Sequence, residues 1–215
     1  MKHDNQEQGK RINSSNKLRE QRLKQIPNTL RSRQKERISY TFNNRCALTD
    51  KESNIHYDHF VPVQWGGIVR RHGIGGTTYA NIIPLHRSIN ASKSSMNPFI
   101  WFERYGDRHG VTLEKWNRIV DYIAGMHGMT TIDYINRVNT CYCEYLAIRW
   151  VNRISQLVER NGTVRRFFID NALRNNLNIH IVVELFGSLE VKEYFNNNET
   201  IELVKERKHT FFKRI

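Results

Sequence analysis

Hydrophobic and polar positions change rhythm twice along this chain. Up to Ser39 the apolar residues are sparse: Leu18, Leu23, Ile26, Leu30 and Ile38 stand among charged neighbours, and Pro27 interrupts any long helix. Asn16 to Gln25 reads as one short basic helix. From Tyr40 to Pro98 short apolar runs alternate with turn signals. Phe42 and Cys46 precede the polar stretch Thr49 to Asn54, and Ile55 to Val63 then reads as a strand. Trp65-Gly66-Gly67 and Gly73-Ile74-Gly75-Gly76 break the chain twice. Ile82-Ile83-Pro84-Leu85 is a second short strand, whose proline suits an edge or a terminal position. His86 to Ser95 follows as a helix, stopped by Asn97-Pro98.

Beyond Phe99 the period is helical. Leu113, Trp116, Ile119, Val120 and Ile123 form one stripe, ended by Gly125 and Gly128. Ile135, Val138, Tyr142, Leu146, Trp150, Ile154 and Leu157 step by three and four, which predicts a long helix from Thr131 to about Glu159, ended by Asn161-Gly162. Val164 to Asn175 and a basic Glu199 to Ile215 are two further helices, while Ile179 to Leu185 fits a buried strand or a helix equally well. The tryptophans and tyrosines are expected in the core. The fold class is therefore α+β: a basic arm over 1–39, a compact centre over 40–98, and a mostly α-helical half over 99–215.

Composition narrows the partners. Of 215 residues 39% are hydrophobic and 11% aromatic, enough for a packed core. No run of 18 apolar residues occurs and the first thirty residues are polar, so neither a membrane span nor a secretory leader is expected, and the cytoplasm is the expected location. The three cysteines, Cys46, Cys141 and Cys143, fit reduced thiols there. A net charge of +13 favours a polyanion, nucleic acid ahead of membrane or acidic protein. Residues 1–39 hold eleven Lys or Arg against four Asp or Glu, a surplus of seven. That arm reads either as a solubilising disordered tail or as a segment that lies along a DNA backbone and orders on binding.

The stretch Ile55 to Ser94 carries the chemistry. Phosphodiester hydrolysis needs a base to activate water, a cation to neutralise phosphate and a stabilised leaving oxygen. Histidine suits the base, and a carboxylate or amide oxygen suits a hard divalent ion. Asp58-His59 puts an acid and a histidine side by side, and Asn90 offers an amide from the helix. Neighbours on a strand point to opposite faces, so a twist or bulge is expected where Asp58 and His59 converge. The joint pattern is Asp58-His59-Phe60-Val61-Pro62, Gly66-Gly67, Asn81-Ile82-Ile83-Pro84-Leu85, then Asn90 and Lys93.

This pattern resembles the HNH endonucleases over about Phe42 to Ser94. The resemblance implies a ββα-metal nuclease core, a β-hairpin clasped to a helix. His59 would be the general base, Asp58 and Asn90 would hold the ion, and Asn81 would brace the loop bearing His59 through that loop's backbone. Asparagine in place of the last histidine, the HNN form, shifts preference toward Mg²⁺, with Mn²⁺ as the alternative. Where many relatives carry two zinc-binding Cys-x-x-Cys pairs, this chain has Cys46 with Thr49 and His86 with Ile89, too few for a structural zinc, so packing is expected to hold the module. Arg87 and Lys93 are expected to hold the scissile phosphate or leaving group, Arg70 and Arg71 to grip DNA from a flexible loop, and His56, on the strand face of Asp58, to touch substrate.

The implied function is a metal-dependent endonuclease acting on duplex DNA, of restriction or homing type, with a homodimer the simplest route to a double-strand break. The alternatives are structure-specific or nonspecific cutting of phage type, a nucleic-acid-binding protein on an inactive HNH scaffold, and an RNA-directed nuclease or translation-associated factor.

Overall fold

A computed structural model of the chain describes residues 16–161, 164 and 166–212. It is mixed α+β, mainly helical, with one small antiparallel sheet of two strands. Two compact units divide it, Met1–Tyr142 and Cys143–Ile215.

The first unit begins, among the described residues, with a helix over 16–25 (α1), which ends before Ile26-Pro27, where proline removes a backbone donor. Ser32–Thr41 forms α2, with the Arg31 N–H donating 2.8 Å to Gln34 Oε1 at its start. Ile26, just after α1, and Ile38, within α2, are buried, so each segment is anchored by one apolar residue in an otherwise polar sequence. The sequence from 16 to 39 is thus folded against the unit, where a tail or an arm ordered only by DNA was expected; the expectations for 1–15 lie outside the described residues.

Strand β1, Ile55–His59, pairs with β2, Ile82–His86, in a regular antiparallel register: Tyr57 faces Pro84, Asp58 faces Ile83 and His59 faces Ile82. Pro84 is tolerated because its carbonyl turns outward to accept the Ala47 N–H at 2.8 Å, leaving the missing donor on the side away from β1. The strand stops at His59, earlier than the apolar pattern to Val63 predicts. There the chain turns inward, Phe60 donating its N–H to the Asn81 carbonyl at 2.8 Å, and a 3₁₀ turn follows over Val63–Trp65. A short helix α3, Ile68–Arg71, and two glycine turns lead to β2, and α4, Arg87–Lys93, leaves it directly.

Helices α5 (Pro98–Tyr105), α6 (Leu113–Met126) and the start of α7 (Thr131–Asn161) complete this unit. Asn97 caps α5, its Oδ1 accepting the Phe99 N–H at 2.9 Å. Residue 98 is not a structural boundary. Phe60, from the hairpin module, lies with ring centroids 6.1 Å from Phe99, 5.7 Å from Trp116 and 6.3 Å from Tyr134. Trp116 in turn stacks on Phe102 at 4.4 Å. One aromatic core serves both sides of the expected division.

The second unit has its own core, in which Trp150, Val151 and Ile154 of α7 are buried with residues of α8 (Arg166–Arg174), α9 (Ile179–Phe186), α10 (Leu189–Phe195) and α11 (Asn198–Phe212). The ambiguous segment from Ile179 is helical. Asn178 caps it, Oδ1 accepting the Ile181 N–H, and Ile179, Val182 and Val183 are buried at helical spacing while Ile181 and Leu185 are exposed. Asp170 and Arg207 pair through two hydrogen bonds of 2.7 and 2.6 Å, tying α8 to α11.

Candidate active site around Asp58 and His59

Asn81 is the buried hub of this region. It is completely inaccessible, and its amide meets three backbone groups: Oδ1 accepts the Val61 N–H at 2.8 Å, while Nδ2 donates to the Val61 carbonyl at 3.1 Å and to the Gly76 carbonyl at 2.8 Å. With its own carbonyl on Phe60, it staples the turn after His59 to the loop before β2. A side chain with both donor and acceptor ends is required, since it has to imitate a strand neighbour where no strand continues.

His59, the last residue of β1, directs Nε2 to Thr77 Oγ1 at 2.9 Å. Its pKa is lowered to about 4, chiefly because burial disfavours the charged ring, with the Lys93 and Arg19 charges adding to the effect and Asp58 opposing it. The imidazole is therefore neutral at pH 7, with one ring nitrogen protonated and the other carrying a lone pair. Asp58 and His59 are not brought together by a bulge. In a regular register the carboxylate turns toward α4 and the imidazole toward Thr77, and the Asp58 charge acts on the ring only by favouring its protonated form.

Lys93 has a different task from the expected phosphate contact. It is 2% exposed, and its ammonium lies 2.9 Å from Asp58 Oδ2 and donates to the His59 carbonyl at 2.8 Å. It thus ties α4 to the end of β1 from inside. Asp58 Oδ2 is sealed from solvent with the Lys93 charge beside it, although no well-aligned hydrogen bond reaches it. Asn90, three residues before Lys93, shares that face of α4 and is half-buried; Arg87, three further back, is exposed at the helix start. His56 is exposed on β1, and Arg70 and Arg71 are exposed on α3, a helical turn rather than a loose loop. His86, for which sequence offers no role, caps α4, its Nδ1 accepting the Ser88 N–H at 3.3 Å.

The glycines of the central loop serve the N-terminal segment. Gly76 adopts φ +77°, and a Cβ there would lie 2.6 Å from the Pro27 carbonyl oxygen. Next to it, Thr77 donates its N–H to that same oxygen at 2.8 Å and accepts from the N–H groups of Thr29 and Leu30 at 3.0 and 3.1 Å, a parallel bridge between Asn28 and Thr77. Gly66, φ +61°, likewise gives room to Gln25 at the end of α1. Sequence reasoning missed Thr77 and Arg19. A threonine in a loop carries no pattern of its own, and Arg19 is one of many arginines until α1 is docked.

Comparison with protein-family models, with curated proteins and with solved structures gives no match to this chain. The site is therefore judged on its geometry. Among the described residues no three His, Cys, Asp or Glu side chains gather as a metal-binding group. A hard ion held by one carboxylate and one amide, with water and phosphate completing its shell, needs no such group. Asp58 on β1 and Asn90 on α4 both carry oxygen donors, and one Asp58 oxygen is buried against Lys93.

Proposed function

We propose that this chain is a metal-dependent DNA endonuclease of the HNH type. The observation that carries the reading is the ordered set at one end of a two-stranded hairpin: a histidine closing β1, an acid beside it, an asparagine stapling the loop, and a helix leaving β2 that carries Asn90 and turns Lys93 to the hairpin. Each piece answers a need of phosphodiester hydrolysis, and together they follow the spacing that resembles HNH enzymes.

In this reading His59 takes a proton from the attacking water. Its Nε2 is engaged by Thr77, so Nδ1 is the nitrogen left for that step. Asp58 and Asn90 would hold Mg²⁺, which when bound supplies positive charge to the phosphate oxygens. Lys93 pairs with Asp58 and donates to the His59 carbonyl, which keeps the base in register with the helix. Arg19, whose charge is felt at His59, and exposed Arg87 are the cations best disposed to meet a phosphate. The partner is duplex DNA, which suits the charge of +13.

The Asp58–Lys93 ion pair also favours a second reading, a nucleic-acid-binding protein that does not cut, because the carboxylate already has a cation. One assay separates the two. Purified protein is incubated with supercoiled plasmid in Mg²⁺ or in EDTA, with His59→Ala in parallel. Metal-dependent cutting lost in the variant is the expected result, and discrete fragments against a smear report on site specificity. Tight, salt-sensitive binding without cutting moves the reading to the second.

A further inference from the structure

The N-terminal segment and the catalytic histidine are joined by a single residue. Thr77 is held through its backbone by three hydrogen bonds from 2.8 to 3.1 Å to Pro27, Thr29 and Leu30, and its hydroxyl lies 2.9 Å from His59 Nε2. No other hydrogen bond to that hydroxyl is seen among the described residues. Gly76 makes the approach of Pro27 feasible, since any side chain there would collide with the Pro27 carbonyl oxygen. A neutral imidazole has two tautomers and two ring orientations, and which one it adopts is set by the hydrogen bond that its second nitrogen makes. That bond is often made to a backbone carbonyl or a carboxylate. Here it falls to a rotatable hydroxyl whose position depends on a strap from a distant part of the sequence.

We infer that Thr77, clamped by residues 27–30, is the positioning residue for His59: its Oγ1 accepts the Nε2–H, which fixes the imidazole as the Nε2-protonated tautomer and leaves the Nδ1 lone pair for the attacking water. The catalytic use of that lone pair rests on the nuclease reading above; the tautomer itself does not. The basic N-terminal segment is then a component of the active site as well as a carrier of charge, and displacing it disorders the base without removing any catalytic atom.

The experiment compares full-length wild type, Thr77→Val, Thr77→Ser and Gly76→Ala. Nitrogen-15 spectra of the histidine side chains at pH 7, with His59 assigned through His59→Gln, report the tautomer without any need for cleavage. The expected wild-type signature is a single Nε2-protonated ring. Thr77→Val keeps the shape and loses the acceptor, so its two ring nitrogens should move toward averaged shifts, while Thr77→Ser restores the wild-type pattern. Gly76→Ala should behave like Thr77→Val. In plasmid cleavage Thr77→Val should lower kcat by about 100-fold with KM little changed, and Thr77→Ser should recover it. A wild-type ring protonated on Nδ1, or a Thr77→Val spectrum identical to wild type in protein that melts normally, overturns the inference. Normal tautomer behaviour in Gly76→Ala removes the strap from it. If wild type fails to cut at all while the spectra follow Thr77 as described, the nuclease reading falls and the Thr77–His59 contact stands.

Discussion

A lysine beside a carboxylate at a surface contributes little, because water screens both charges, but Lys93 and Asp58 have little water near them. Removing only the cation strands a mostly buried carboxylate and two backbone carbonyls. Lys93→Met is therefore expected to lower unfolding free energy by about 3 kcal/mol, read as a fall in urea midpoint. Lys93→Met with Asp58→Asn should recover part of that loss, because the stranded charge is gone. His59 gives a pH signature of opposite character. Its pKa falls to about 4 on folding, so the unfolded chain binds a proton that the native state refuses between pH 6.5 and 4. The stability this neutral ring contributes is complete above pH 6.5 and is lost as pH falls through that window, by up to about 3 kcal/mol. Urea titrations at pH 7 and pH 4.5 should show a larger drop for wild type than for His59→Gln. The sequence made Lys93 visible as a residue of the site and gave its helix. It did not show which way the ammonium turns, since a long flexible side chain can reach phosphate or snorkel inward from the same helical position.

At the scale of elements, the hairpin and α4 were readable because alternation, a proline and a helix stop fall in one short stretch. The position of Asn81 was readable as well, though the three groups it meets follow only from the turn after His59. Asn81→Ala leaves the Val61 N–H and the Val61 and Gly76 carbonyls unpaired away from water, and should cost about 3 kcal/mol, measured by chemical unfolding. If the cost is small, those groups find water and the staple is not rigid. The glycine turns were misread for a physical reason. A glycine at positive φ that admits another backbone has the same sequence as a glycine that lets a loop move. The docking of residues 26–30 depends on contacts between positions fifty residues apart, and a single buried isoleucine in a charged stretch is too weak a signal to announce it. The Ile179 segment shows the converse: a run of seven nearly apolar residues has no decisive period, and Asn178 as a cap with its exposed Ile181 and Leu185 settled it.

For the whole molecule, charge decides more than shape does. No helix among the described residues is long and apolar enough to cross a membrane. Lys17, Arg19 and Lys24 of α1 are exposed and Arg22 half-buried, and Arg31, Arg33, Lys35 and Arg37 of α2 and its start are exposed, a basic stretch on the unit that bears His59. Binding to duplex DNA should weaken linearly on a log–log plot against salt. Replacing Lys17, Arg19, Arg22 and Lys24 by glutamine should flatten that slope by at most about 4, measured by fluorescence anisotropy across salt concentrations. An unchanged slope would mean that α1 does not meet the phosphates.

That this basic surface is already folded bears on the heat of binding. A tail that became helical only on DNA would bury its own apolar residues during association, giving a large negative heat-capacity change and an entropic penalty that grows with the number of residues ordered. With Ile26 and Ile38 already buried and residues 27–30 already bonded to Thr77, that penalty belongs to folding and not to association. Calorimetry of the DNA complex over a range of temperatures should therefore give a shallow, nearly straight enthalpy line, the signature of a prearranged surface meeting a rigid polyanion.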